Sequence, residues 1–230
     1  MKKIAILQSN YIPWRGYFDL INMVDEFIIY DDMQYTKRDW RNRNRIQTPY
    51  GLKWISIPVK VKGKYFQKIN ETKINNHNWG KEHWNSLKQN YSHSKNFNNY
   101  KDIFEDLYLN NEDEYLSSIN FKFLSTINKI LGIKTQVRWS NEFKLIEGKS
   151  EKLLGICMEC NANTYLTGPA AKGYLDENLF VENKVEIEWM NYHDYPQYKQ
   201  MHKTFESGVS ILDLIFNEGN NATKFMKSFY

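Results

Sequence analysis

The chain has 230 residues, among them 7 Trp, 16 Tyr and 13 Phe, with 41% apolar and 25% charged residues and a mean hydropathy of −0.69. That aromatic content excludes a disordered chain, the 11 Gly and 5 Pro exclude collagen-like or low-complexity sequence, and no window approaches the ~18 apolar residues of a membrane span. A net charge of +4 is too small to argue for nucleic acid.

The apolar run that opens the chain is too short for a signal peptide, and two Cys make no disulfide scaffold. A cytoplasmic globular protein is expected, a single domain over residues 1–230 in which 79–131 form a helical insertion or lobe.

Residues 3–8 (KIAILQ) read as a short buried strand. Residues 15–24 place Tyr17, Phe18, Leu20, Ile21 and Val24 at helical spacing behind Pro13. Residues 26–32 (EFIIYDD) read as a second strand ending in two carboxylates. Strand, loop, helix and strand within about thirty residues make one βαβ unit, so a mostly parallel α/β sheet is expected. Residues 53–61 alternate as a strand, the Asn-rich 70–78 as exposed loop, and 79–131 as three helical pieces closed by Gly132. The α/β pattern resumes with a strand at 133–140, a helix at 149–161, a strand at 164–168, a helix at 171–180, a strand at 185–192 and an amphipathic helix at 210–219.

In open α/β sheets ligands bind beyond the carboxyl ends of the strands, and three of those ends are polar here. Gln8, Ser9, Asn10 and Tyr11 lead through Trp14 to Tyr17; Tyr30, Asp31, Asp32 and Gln34 follow the second strand; Tyr165, Thr167 and Gly168 follow a later one. Lys37, Arg38, Arg41, Arg43 and Arg45 put five cations into nine residues. A strand there sets Arg41, Arg43 and Arg45 on one face, either as a clamp for phosphate or carboxylate or as a solvated surface. Asp31 and Asp32 are candidates for a metal pair or a general base, or for a turn cap and an Arg partner. His83, among aromatic neighbours, reads as a general base or as a half-buried packing residue; His193, in a polar turn, is a second candidate base. Cys157 and Cys160 have CxxC spacing with no second pair, inside a predicted helix, which argues against zinc. No P-loop and no GxGxxG occur.

The opening loop resembles the nucleotidyltransferase layout, in which a Pro-containing loop enters a helix at His-x-Gly-His; Trp14 and Tyr17 stand at the two His positions, so the layout is expected without nucleotidylyl transfer. A resemblance covering nearly the whole chain rests on ILQSNYIPWRGYF (6–18), YDDMQY (30–35), RNRNRI (41–46), YLTGPAAKGYL (165–175) and SILDL (210–214). These motifs resemble the WbqC-like family, with Ser9 where that family usually has Pro.

The resemblance implies bacterial O-antigen or capsule biosynthesis. It adds Asn42, Asn44 and Lys172, which lie inside its motifs, to the substrate-binding candidates Gln8, Asn10, Tyr11, Trp14, Tyr17, Gln34, Arg43, Arg45, Tyr165 and Gly168. The expected chemistry is transfer of an acyl or aminoacyl group from a thioester, on an acyl-carrier protein or coenzyme A, to the amine of a nucleotide-linked amino sugar. His83, Asp31 or Asp32 would take the proton, with no resident metal or cofactor. Glycosyl transfer and non-catalytic binding of a sugar nucleotide are the alternatives.

Overall fold

The computed structural model describes residues 1–202 and 204–229. Its centre is a five-stranded parallel sheet formed by β1 (Lys3–Leu7), β2 (Glu26–Ile29), β5 (Gln136–Trp139), β6 (Thr164–Thr167) and β7 (Glu186–Trp189), in the order β5-β2-β1-β6-β7. The register pairs Leu7 with Ile29, Ile29 with Trp139, Ala5 with Leu166 and Thr167 with Trp189. The chain leaves β1 toward β2 on one side and β6 toward β7 on the other. The winding therefore reverses between β1 and β6, where a Rossmann-like sheet opens a crevice at its carboxyl edge.

Both faces of this sheet are covered, so its strands are short apolar runs. Ala5, Phe27, Ile29 and Leu166 face the larger core. There α1 (Arg15–Asn22), α7 (Ile211–Glu218) and the helices α2 (Asn78–Tyr91), α3 (Phe97–Leu109) and α4 (Leu116–Leu131) bring Phe18, Leu214, Trp79, Phe104 and Phe123. Ile4, Ile6, Ile28 and Tyr165 face the other way, onto α5 (Ser150–Glu159) and α6 (Glu177–Glu182) through Leu153, Ile156, Cys157 and Phe180. The helix α4 stops at Gly132, whose φ of +74° suits a residue without Cβ.

Three elements differ from the sequence expectation. β2 ends at Ile29 because Asp31 turns down to bond the loop after β1. The strand expected at 53–61 is β4 (Gly51–Ser56), which pairs antiparallel with β3 (Arg43–Thr48) as a hairpin outside the parallel sheet. The helix expected at 171–180 divides into a 3-10 turn (Pro169–Gly173) and α6, whose N-cap Asp176 accepts from the Leu179 N–H.

Candidate functional site

The loop after β1 is fixed from three directions. From below, the Asp31 carboxylate accepts the Ser9 N–H and the Ser9 hydroxyl, each at 2.7 Å, and the Ser117 hydroxyl of α4 donates to the same group. Burial pushes the Asp31 carboxyl above its ordinary value, and the Ser117 and Ser9 hydrogen bonds pull against that shift. From the hairpin, Asn44 Nδ2 donates to the Tyr11 and Ile12 carbonyls at 3.1 and 2.9 Å, and the Tyr11 N–H donates to the Trp40 carbonyl at 3.0 Å. Ile12 is held at φ +38°, a conformation rare for a β-branched residue. Strain of this kind persists where surrounding bonds over-determine the backbone, commonly at ligand sites. From the third direction, the Arg41 guanidinium donates to Gln8 Oε1 at 2.8 Å and to Asn10 Oδ1.

Two cavities lie on either side of this loop, with Arg41 between them. The first, about 320 Å³, lies under the hairpin and is lined by Asn10, Pro13, Trp14, Trp40, Arg45 and Gly208, with Asn44 and Ser207. The second, about 270 Å³, lies over the carboxyl ends of β1, β2 and β6 and includes Gln8, Tyr30, Lys149, Lys152, Thr167 and Tyr174. Arg41 ties Gln8 of one wall to Asn10 of the other. A second link runs from Thr167 through Gly168, beside the Tyr192 ring, to Trp14, whose ring lies 5.2 Å from that of Tyr192. The amino end of α5 enters the second chamber beside Lys149 and Lys152, adding the positive end of a helix to two ammonium groups.

The arginines divide their work. Arg41 does not share the expected face with Arg43 and Arg45: it precedes β3 and turns into the cleft, whereas Arg43 and Arg45 lie half-buried on the face of β3 opposite the buried Asn44. The Arg43 guanidinium lies 4.1 Å from the Trp54 ring, and that of Arg45 lies 5.4 and 5.5 Å from the Trp40 and Trp54 rings. Arg45 Nε is buried without a hydrogen-bond partner, and no carboxylate of the described residues pairs with this guanidinium. A half-buried guanidinium beside the Trp40–Trp54 pair, whose rings lie 5.2 Å apart, with no carboxylate partner, is equipped to receive an anion in the first chamber.

The remaining candidates are distributed as follows. Trp14 lines the first chamber, but Tyr11 and Tyr17 are 0% and 2% exposed and present no ring face to it. Tyr17 donates to the Gln8 carbonyl at 2.9 Å, and Tyr11 reaches down to His83. Tyr165 lines the second chamber by its edge while stacking on Phe180. Asn42 donates to the Ile57 carbonyl at the hairpin base, Gln34 to the Tyr65 carbonyl, and the Lys172 ammonium lies 5.1 Å from the Trp189 ring beyond β7.

His83 sits in the aromatic core among Tyr11, Trp79 and Tyr108, and burial pushes its imidazole down to about 4. His193 lies exposed in the turn after β7. Asp31 and Asp32 open on a third, polar cavity of about 320 Å³ with Asn70, Ser117, Trp139 and Ser140. Asp32 accepts from the Ser140 hydroxyl at 2.5 Å and from Asn70 at 3.3 Å; burial, with the Asp32 charge second, pushes the Tyr30 phenol above its ordinary value at the wall of the second chamber. Both thiols are buried, which pushes Cys157 up to about 12 and Cys160 up to about 11.

Sequence reasoning missed Trp40, Ser207, Gly208, Lys149, Lys152 and Tyr174. Trp40 and Lys149 were the findable ones: the first interrupts the basic run, and the second opens a predicted helix at a strand-to-helix loop.

A parallel Rossmann-like sheet with a cationic, aromatic-walled cleft near its switch point defines an α/β protein with a candidate site for a small anionic ligand. The chain belongs to the WbqC-like protein family, whose model matches residues 8–225. It is similar to Uncharacterized protein Rv1507c of Mycobacterium tuberculosis, with 50% identity over 227 residues, covering 99% of this chain and 98% of that protein. No solved structure matches the chain significantly. Among the described residues no helix is long and apolar enough to cross a membrane.

Proposed function

We propose that the protein transfers an acyl or aminoacyl group from a thioester, carried by a carrier protein or by coenzyme A, onto the amine of a nucleotide-linked amino sugar in bacterial surface-polysaccharide biosynthesis. The observation that carries this reading is Arg45, a guanidinium with unpaired charge in a two-chambered cleft at the switch point. A nucleotide sugar is an anion between two ring systems, and the cleft offers Trp14 and Trp40 on one side and a polar chamber on the other.

In this reading the pyrophosphate lies against Arg45 and the amino sugar enters the second chamber, where Tyr30 and Thr167 supply hydroxyls. The neutral amine attacks the thioester carbonyl, the new N–C bond forms, the C–S bond breaks, and the sulfur leaves as thiol with the proton lost by the amine. Asp32 is the acid–base group proposed for that proton: it follows Tyr30 by two residues at the carboxyl end of β2 and opens on the adjoining cavity with Ser140 and Asn70, from which it would act through a bridging water. Asp31, with both oxygens engaged, positions the loop; His83 packs the core.

The test is mass spectrometry of the protein incubated with nucleotide-linked 3-amino and 4-amino sugars and with thioesters of both donor types. A mass gain on the intact sugar nucleotide, reduced about a hundredfold in rate by Asp32→Asn, is the expected result. Release of free nucleoside diphosphate would indicate glycosyl transfer instead. A second reading, a sugar-nucleotide-binding protein without catalysis, is favoured by one observation: no carboxylate or imidazole lines either of the first two chambers. It predicts thermal stabilisation by sugar nucleotides with no product from either donor.

A further inference from the structure

The chain's modest net charge hides a strong segregation. Ten of the 31 Lys and Arg lie in residues 37–68, against one of the 27 acids, Asp39, so this segment carries +9 and the rest of the chain −5. At its end, residues 60–68 (KVKGKYFQK) contain four lysines and no acid. This loop is a built projection. Gln67 is buried and donates to the Lys60 carbonyl at 2.9 Å, closing the loop on itself. Gln34 donates to the Tyr65 carbonyl at 2.8 Å, and the Tyr35 N–H to the Gln67 carbonyl at 2.9 Å, pinning its base to the segment after β2. Gly63, at φ +73°, makes the turn at its tip.

What the loop presents is unusual for a water-facing surface. Tyr65 is 74% and Phe66 82% exposed, with their rings packed edge to face at 5.0 Å. Lys62 and Lys64 precede them and form no ion pair among the described residues. The nearby acids are engaged by Lys68: Glu71, which borders the same hollow as Tyr65 and Phe66, accepts the Lys68 N–H, and Asp32 lies 3.6 Å from the Lys68 ammonium.

We propose that this loop docks the protein on the surface of an anionic lipid bilayer, with Tyr65 and Phe66 at the headgroup level and Lys62 and Lys64 on the lipid phosphates. The chemistry of the surface favours lipid over a nucleic acid. Two largely exposed rings beside lysines without ion-pair partners, bordering a hollow of about 530 Å³, combine an apolar and a cationic contact as a headgroup layer requires, and the perpendicular rings (89°) are not set to stack on successive bases. The charge segregation orients the approach, since the segment bearing +9 is attracted to an anionic surface while the remainder is repelled. This inference is independent of the transfer reaction.

The experiment is co-sedimentation of the full chain with vesicles of phosphatidylcholine alone and with roughly a third phosphatidylglycerol, at low salt and at roughly 0.5 M NaCl. Binding is expected only to the anionic vesicles, and to fall at high salt. The Lys62→Ala/Lys64→Ala variant should bind about 30-fold more weakly, and Tyr65→Ser/Phe66→Ser about tenfold or more. All four side chains are exposed, so thermal unfolding should match the parent and exclude misfolding as the cause. No binding to anionic vesicles, equal binding to both vesicle types, or unchanged binding by both variants would each overturn the proposal. Retention on RNA or on an acidic protein without vesicle binding would overturn it in favour of a soluble polyanion.

Discussion

The Tyr11 hydroxyl lies 2.9 Å from His83 Nδ1, so the loop that shapes the cleft is rooted in the aromatic core by a neutral imidazole. Burial pushes that imidazole down to about 4, from an ordinary value near 6.5. Between those two values the unfolded chain binds the proton and the folded chain does not, so stability falls as pH drops from about 6.5 to about 4. The contribution is about 3 kcal/mol. Urea unfolding at a series of pH values should show this slope in the parent and a flatter one in His83→Gln. An unchanged slope would remove His83 as its source.

Arg41 closes the wall between the chambers because a planar guanidinium reaches two carboxamides at once. Lysine, with all its donors on one nitrogen, lacks the fixed fork that places Nη1 on Asn10 and Nη2 on Gln8. Arg41→Lys should weaken binding of sugar nucleotides about tenfold or more while leaving the melting temperature close to the parent. Calorimetric titration measures the first and thermal unfolding the second; equal affinity would show that Gln8 and Asn10 need no anchor.

The sheet was legible because its strands are short apolar runs between polar ends. The Arg–Asn alternation held for Arg43 and Arg45 against buried Asn44, but Arg41, expected on the same face, precedes the strand and turns to Gln8 and Asn10 instead. The site was legible only in part. Tyr11, Tyr17 and Tyr165 occupy the right loops, but a tyrosine serves a core and a ligand equally well, and burial decided for the core. Ser207 and Gly208 reach the first chamber from a stretch with no periodicity, more than 160 residues away from Trp40 in sequence, and only tertiary packing reveals them. Asp31 and Asp32 read as one pair. They act on different partners because the chain turns after Ile29, sending one carboxylate to Ser9 and the other to Ser140.

Gly80 marks the closest approach between α2 and α3. A Cβ there would stand 2.0 Å from the Tyr108 backbone oxygen, and a helix backbone cannot yield as a side-chain tip can. Helix propensity alone would make Gly80→Ala favourable by about 1 kcal/mol. The clash should reverse the sign, giving a net loss of about 2–3 kcal/mol. Denaturant unfolding decides between the two; a stabilised variant would mean that the helices separate without cost.

Gly208 presents the opposite case, a close approach to a side chain with room to move. A Cβ there would stand 2.3 Å from Arg45 Nη2, so Gly208→Ala displaces the guanidinium from its place beside Trp40 and Trp54 without disturbing any backbone. The expected signature is a split. Affinity for a sugar nucleotide should fall about tenfold, since the anion loses its charged partner, while the melting temperature should stay within about 2 °C of the parent. Tryptophan fluorescence during titration is a direct readout, because Trp14 and Trp40 both line the chamber that the ligand fills. Unchanged affinity would remove Arg45 from ligand recognition, and a large loss of stability would make Gly208 a folding residue like Gly80.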